Sequence, residues 1–145
     1  MRILAAMTAT AVTLSAPAVG VYQGHSPHAD RQMDIAIQVL RGRRSANWRI
    51  DVQGPCNDGS TRLGRTIATD VQPPEPKLRI RRGRFALSRS VTIETNDMHF
   101  HFTLSGHVVK GGFAGTFHYV ETEYGVTCDS TALHWTARRT ALPFP

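Results

Sequence analysis

The sequence predicts an all-β domain: an antiparallel meander of about eight strands forming a closed or nearly closed barrel, held by one disulfide. Three observations carry this. Apolar and polar residues alternate with period two along most of the chain. Clusters of turn residues separate the alternating runs. Past the N-terminal segment, no window keeps apolar residues at the i, i+3, i+4, i+7 spacing of an amphipathic helix.

The N-terminus reads as an export signal. Arg2 supplies a positive start, Ile3 to Ala16 is apolar or small with interspersed Thr and Ser, and Ala16-Pro17-Ala18 offers small residues at a cleavage site. Cutting is expected after Ala18. The run is too short and too rich in Thr for a spanning helix, which needs about 20 apolar residues, and no later segment has the composition of a membrane span. Residues 1–18 are therefore assigned to a signal peptide, 19–139 to a single all-β domain and 140–145 to a frayed tail, with the mature protein secreted or exposed at the cell envelope. Roughly 125 residues remain after the cut, one ordinary domain.

The alternation then runs in order. Ile35, Ile37 and Val39 share one face; so do Trp48, Ile50 and Val52, then Leu78 and Ile80, Phe85 and Leu87, and Val91 and Ile93. Met98, Phe100, Phe102 and Leu104 alternate with His99, His101, Thr103 and Ser105; Phe113, Phe117 and Tyr119 follow, and Leu133, Trp135 and Ala137 close the series. One apolar and one polar face per strand means an antiparallel sheet with one wet side. Asn57-Asp58-Gly59, the stiff stretch Gln72-Pro73-Pro74-Glu75-Pro76, and Arg82-Gly83 punctuate the runs, while Asn96-Asp97 and Lys110-Gly111 read as two-residue hairpin turns. A turn at Asn96-Asp97 places Ile93 opposite Phe100 and Val91 opposite Phe102. A turn at Lys110-Gly111 places Leu104 opposite Phe117 and Phe102 opposite Tyr119. Every pair is apolar on apolar, and a one-residue slip would destroy all of them. After Val120 the pattern reads as a loop. A chain of such strands without long crossovers closes as an up-and-down barrel or, alternatively, packs as a two-sheet β-sandwich.

Two cysteines in an exported chain pair, so Cys56 and Cys128 are expected to form a disulfide. They lie 72 positions apart, a ring whose closure stabilises the fold by about 4 kcal/mol on chain-entropy arithmetic.

The order Tyr22-x-Gly24, Cys56-x-Asp58-Gly59, Arg82-Gly83-Arg84-Phe85, Ser105-Gly106, Gly115-Thr116, Cys128-Asp129-Ser130 and Trp135-Thr136-Ala137-Arg138-Arg139 resembles a group of small exported β-domain proteins common in actinobacteria. The resemblance covers nearly the whole mature chain. Its motifs are turn and core residues, so it implies the fold and export; no activity is assigned to that group, and no catalytic residue is carried over.

Four constellations could carry chemistry. The net charge is +6, and all but two of the 17 basic residues, Lys77 and Lys110, are Arg. Lys77, Arg79, Arg81, Arg82 and Arg84 alternate with Leu78 and Ile80, and Arg41, Arg43 and Arg44 add charge in another turn. Guanidinium forks on one strand face could clamp anionic groups; the plainer reading is an edge strand guarded by charge. For an exported protein an anionic cell-surface polymer is the expected partner, rather than nucleic acid. Glu94, His99, His101 and His118 fall on one sheet face in the register above and could hold a metal such as Zn²⁺, though no second shell supports them and no metal or other cofactor is predicted. Glu121 and Glu123 share a core-facing parity and could act as the acid and base of a hydrolase. The inward aromatics could line a cavity for a small apolar ligand. Glycine-rich phosphate loops, the nucleophile elbow, paired CxxC motifs and metalloprotease helices are all absent. The reading that follows is a non-enzymatic exported β-domain with a binding or surface-structural role, with apolar-ligand carriage and hydrolysis as the alternatives.

Overall fold

A computed structural model describes residues 16–27, 32–71 and 74–145. Most of the predicted signal peptide, and Gln72 and Pro73 of the proline stretch, lie outside the described residues. The described residues form ten strands: β1 (Gly20–Pro27), β2 (Gln32–Val39), β3 (Ser45–Pro55), β4 (Thr61–Ala68), β5 (Leu78–Arg79), β6 (Arg84–Ile93), β7 (Met98–Val109), β8 (Gly112–Glu123), β9 (Val126–Asp129) and β10 (Leu133–Thr140). They build one antiparallel sheet in the order β4-β3-β2-β1-β10-β8-β7-β6, with β5 paired to β3 and β9 to β8. Within β1–β4 and within β6–β9 successive strands are neighbours, and the last strand lies against the first: Val21 to His25 pair with Thr140 back to Thr136. That is the connectivity of an up-and-down barrel.

The ring nevertheless does not close. Among the described residues no ladder joins β4 to β6, so the molecule is a half-barrel, a curled sheet open along one seam: of the closed or nearly closed barrel that the alternation predicts, the closed form is not realised. The reason lies in β3, whose free edge is shared. Arg49 to Pro55 pair with β4, and Ser45 and Ala46 pair with Arg79 and Leu78 of β5. The chain then turns through Arg82-Gly83 into β6 by a single bridge between Arg81 and Arg84. At one end, therefore, β5 stitches β3 to β6; below it the seam stays open.

Inward residues of the two halves meet in one core. Trp48, Trp135, Phe102, Phe113 and Phe117 are among its fully buried side chains. Trp48 lies 5.7 Å from Phe102 across the half-barrel, and its indole Nε1 donates to the Pro76 carbonyl at 2.9 Å. Phe85 stacks on Trp135 at 6.2 Å. Aromatic contacts of this kind add to the area they bury.

The three-stranded meander β6–β7–β8 keeps the expected faces. Leu104 stands opposite Phe117 and Phe102 opposite Tyr119, as the Lys110-Gly111 turn requires. The other hairpin is longer than the two residues expected. Glu94–Asn96 form a short 3₁₀ turn closed by Asp97 at φ 44°, so Val91 faces Phe100 and Ile93 faces Met98. The shift is two residues, which preserves the parity of every side chain. β8 also runs on to Glu123 and pairs with β9, where the sequence reads as a loop. Cys56 and Cys128 are bonded, tying the end of β3 to β9.

The turns fall at two ends. The β2–β3, β5–β6 and β7–β8 turns cluster at one; the β3–β4, β6–β7 and β8–β9 turns cluster at the other. Gly106 shows how tight the core is. A Cβ there would stand 2.4 Å from Phe85 Cζ and 2.9 Å from Trp135 Cη2, neither of which can retreat from a filled interior. Gly106→Ala is expected to lower stability by about 1–3 kcal/mol, read as a reduced urea midpoint at unchanged slope.

Candidate functional site

The basic residues assemble at the stitched end. In the β2–β3 turn, Leu40 N–H donates to the Ser45 carbonyl and Arg43 N–H to the Leu40 carbonyl, both at 3.0 Å. In the β5–β6 turn, Arg81 and Arg84 exchange reciprocal backbone bonds of 2.9 Å. Ile80 N–H then donates to the Arg44 carbonyl at 2.8 Å, fastening the second turn to the first. Two segments separated by more than thirty positions thus present their arginines side by side. Arg43, Arg44, Arg79, Arg81 and Arg82 line one open groove of about 870 Å³, whose walls also include Ala16 and Pro17 of the segment expected to be cut away.

None of these guanidiniums makes an ion pair or side-chain hydrogen bond among the described residues, and no carboxylate lines the groove. All five are exposed. Two of them also hold an unfavourable backbone. Arg43 sits at φ 57° and Arg82 at φ 50°, each beside a glycine of positive φ, Gly42 at 87° and Gly83 at 70°. Arg82-Gly83 is a two-residue hairpin turn with both central residues left-handed, a place that Asn-Gly fills with less strain.

The lining of the groove differs from the basic run singled out in the sequence in two ways. Lys77 is exposed but lines neither this groove nor the next, and Arg84 belongs to the next one. Arg43 and Arg44, set apart by sequence, are members. The second groove, of about 840 Å³, crosses the outer face of β6, β7, β8 and β10. It shares Arg79 and Arg81 with the first and adds Arg84, His107 and His134.

The histidine face does not assemble as a metal site. Glu94 lies in the 3₁₀ turn, and the residue facing His99 is Thr92, not Glu94. Each imidazole is held by a different neighbour. Thr92 Oγ1 lies 3.1 Å from His99 Nδ1, Ser90 Oγ 2.8 Å from His101 Nδ1, and Asp129 Oδ1 2.8 Å from His118 Nε2. Among the described residues no three such groups stand close enough to share a cation.

Glu121 is buried, as its parity predicts, but both its oxygens are engaged. Arg65 reaches across the open seam from β4 and donates from Nε to Oε2 at 2.7 Å and from Nη2 to Oε1 at 2.9 Å. The Tyr119 hydroxyl donates to Oε2 as well. Glu123 lies 3.7 Å from the same guanidinium. Burial, reinforced by the bond to Glu121, holds the Tyr119 phenol above its ordinary range, and the bond to Glu121 likewise raises Arg65. A carboxylate committed to a bidentate pair and a phenol is a structural group, not a free base. Glu75, also buried, accepts from Arg89 Nε at 2.9 Å. These two pairs lace the seam. Between them is a cleft of about 230 Å³, walled by Ile67, Ile93, Met98, Phe100 and Tyr119.

No match to this chain is found among protein-family models, curated proteins or solved structures. Glu121→Gln removes the anion from a buried pair and leaves Arg65 without its partner. Because the Arg65 side chain is 40% exposed, the expected loss is below the full buried-pair figure, about 1–3 kcal/mol. Thermal unfolding of the oxidised variant, compared with Glu123→Gln as a milder control, measures it.

Proposed function

We propose that this protein is a non-enzymatic binding domain of the secreted or envelope-exposed space, and that its ligand is an anionic surface polymer held in the arginine groove. The observation that carries this reading is the convergence on one groove of five guanidiniums from two distant turns, with no ion-pair partner or facing carboxylate among the described residues. Guanidinium is weakly hydrated and matches carboxylate, sulfate and phosphate oxygens with two parallel N–H donors. A surface guarding an edge strand would need charge, but not charge gathered from a second turn. The strain at Arg43 and Arg82 points the same way, since left-handed positions kept by a costly residue are common at working sites. The disulfide, and the lack of any helix among the described residues long and apolar enough to cross a membrane, are compatible with an extracellular setting.

Carriage of a small apolar ligand is the second reading, now placed at the seam cleft instead of the filled interior. Its volume is below the roughly 300–1,000 Å³ of ordinary ligand pockets, which makes it the weaker of the two. For hydrolysis, Glu121 and Glu123 offer no free carboxylate pair.

Binding is measured with polygalacturonate as a carboxylate polymer, dextran sulfate as a sulfate polymer and neutral dextran as the control. Both acidic polymers should raise the melting midpoint, and the rise should vanish in about 1 M salt, where the Debye length falls to about 3 Å. The Arg79→Gln, Arg81→Gln double variant should lose most of the binding while Arg49→Gln, farther along β3 beside Asp51 and outside the lining of both grooves, retains it. Equal midpoints with and without polymer at low salt would exclude the reading. Arg82→Asn offers a second, sharper check: it should relieve the turn and raise the unliganded midpoint by the equivalent of about 0.5–1 kcal/mol while weakening polymer binding.

A further inference from the structure

The second groove extends this site. His107 stands opposite Arg84 on β6 and Ala114 on β8, and His134 stands opposite Thr116 on β8. Both imidazoles are exposed and line the groove with Arg79, Arg81 and Arg84. The floor between them is made of small residues, Ala86, Ser105, Ala114 and Thr116, so an extended chain could lie across the strands without obstruction. Ser105 and Thr116 hydroxyls already bond each other at 2.9 Å.

The charged groups that line the groove are of one sign, and the outward carboxylate of β2, Asp34, stands opposite His25 of β1, outside that lining. β6, β7 and β10 carry no carboxylate. Those of β8, Glu121 and Glu123, lie toward the other end of the strand and contact Arg65. On β9, Asp129 is taken by His118 Nε2 and by the Thr131 N–H at 2.6 Å. From β1, His25 faces Thr136 and is itself an imidazole. Protonation of His107 and His134 therefore adds positive charge to the groove without neutralising a local acid.

Resting on the polymer-binding reading for the identity of the ligand, we propose that this outer-face groove is a second subsite for the same anionic polymer, continuous with the first through Arg79 and Arg81, and that its grip tightens with acidity as His107 and His134 gain protons. Imidazoles change charge in the range of about pH 5 to 8, and the protonated form is the one that attracts an anion. The arginines keep their charge throughout, so the first groove supplies a constant affinity and the second a pH-dependent increment.

The test uses dextran sulfate, whose own charge stays fixed over the range, at constant ionic strength. Its affinity is measured by calorimetry at about pH 8 and about pH 5.5 for the wild type, for the His107→Gln, His134→Gln double variant, and for a His99→Gln, His101→Gln control. Two added surface charges should tighten binding roughly fivefold in the wild type and the control. The double variant should match the wild type at about pH 8 and fail to tighten at about pH 5.5. Tightening that survives in the double variant, or that is missing from the wild type, overturns the second subsite while leaving the arginine groove intact. Absence of binding at both pH values overturns the polymer-binding reading itself.

Discussion

The open seam is the constraint on which the rest of this structure depends. An eight-stranded ring can close only if its first and last neighbours offer complementary free edges along their whole length. Here the free edge of β3 is divided between β4 and β5, and β4 leaves the ring before β6 can pair with it. What crosses the gap is a two-residue strand at one end and two ion pairs, Arg65 with Glu121 and Arg89 with Glu75, farther along. Charge pairs are a weaker closure than a ladder, and buried ones are more demanding of their partners. They do, however, satisfy groups that a closed barrel would not need. The same short stitch sets the place of the two basic grooves: Arg79 of β5 and Arg81 just after it line both.

Much of this architecture could be read from the residues, because the period-two alternation is a direct projection of which face each strand buries. Trp48, Ile50 and Val52, or Phe102, Leu104, Phe117 and Tyr119, are legible for that reason, and all are buried. The strands that escape notice are those whose burial is slight or polar. β4 contributes Ile67 and Ala68 to the interior from a segment, Thr61–Ala68, without regular alternation, and β9 is the four residues Val126–Asp129, half-buried throughout. The β6–β7 turn was misjudged by two residues for a related reason. Parity arguments are blind to shifts of two, so core-on-core pairing could not distinguish Ile93 facing Phe100 from Ile93 facing Met98.

The site was legible only in part, and the missing part is long-range. The alternating arginines of 77–84 advertise themselves locally, but nothing in the sequence says that Arg43 and Arg44 stand beside them. That follows from one backbone bond, Ile80 N–H to the Arg44 carbonyl, and from the pairing of Ser45 with Arg79. Conversely, the histidine and glutamate constellations have the face that their parity predicts for His99, His101 and Glu121, and still do not assemble. Glu94 lost its position to the longer turn, and Glu121 found a partner in Arg65 from a strand the alternation does not reveal. Local spacing fixes which face a group occupies; only closure of the sheet decides what else faces it.

Closure also sorts the charges. The turns at the stitched end carry Arg41, Arg43, Arg44, Arg81, Arg82 and Lys110, whereas Asp58, Glu94, Asp97 and Glu123 lie in or beside the turns at the opposite end. Antiparallel topology forces this separation once the charges are assigned to alternate turns, since alternate turns fall at alternate ends. A domain so polarised does more than repel its own kind. On the proposed reading, such a field would orient an approaching polyanion before contact, toward the basic end. Orientation and capture would then share one cause: arginines placed in the turns, including the two turns whose left-handed backbone least favours them, at the end where the half-barrel is joined.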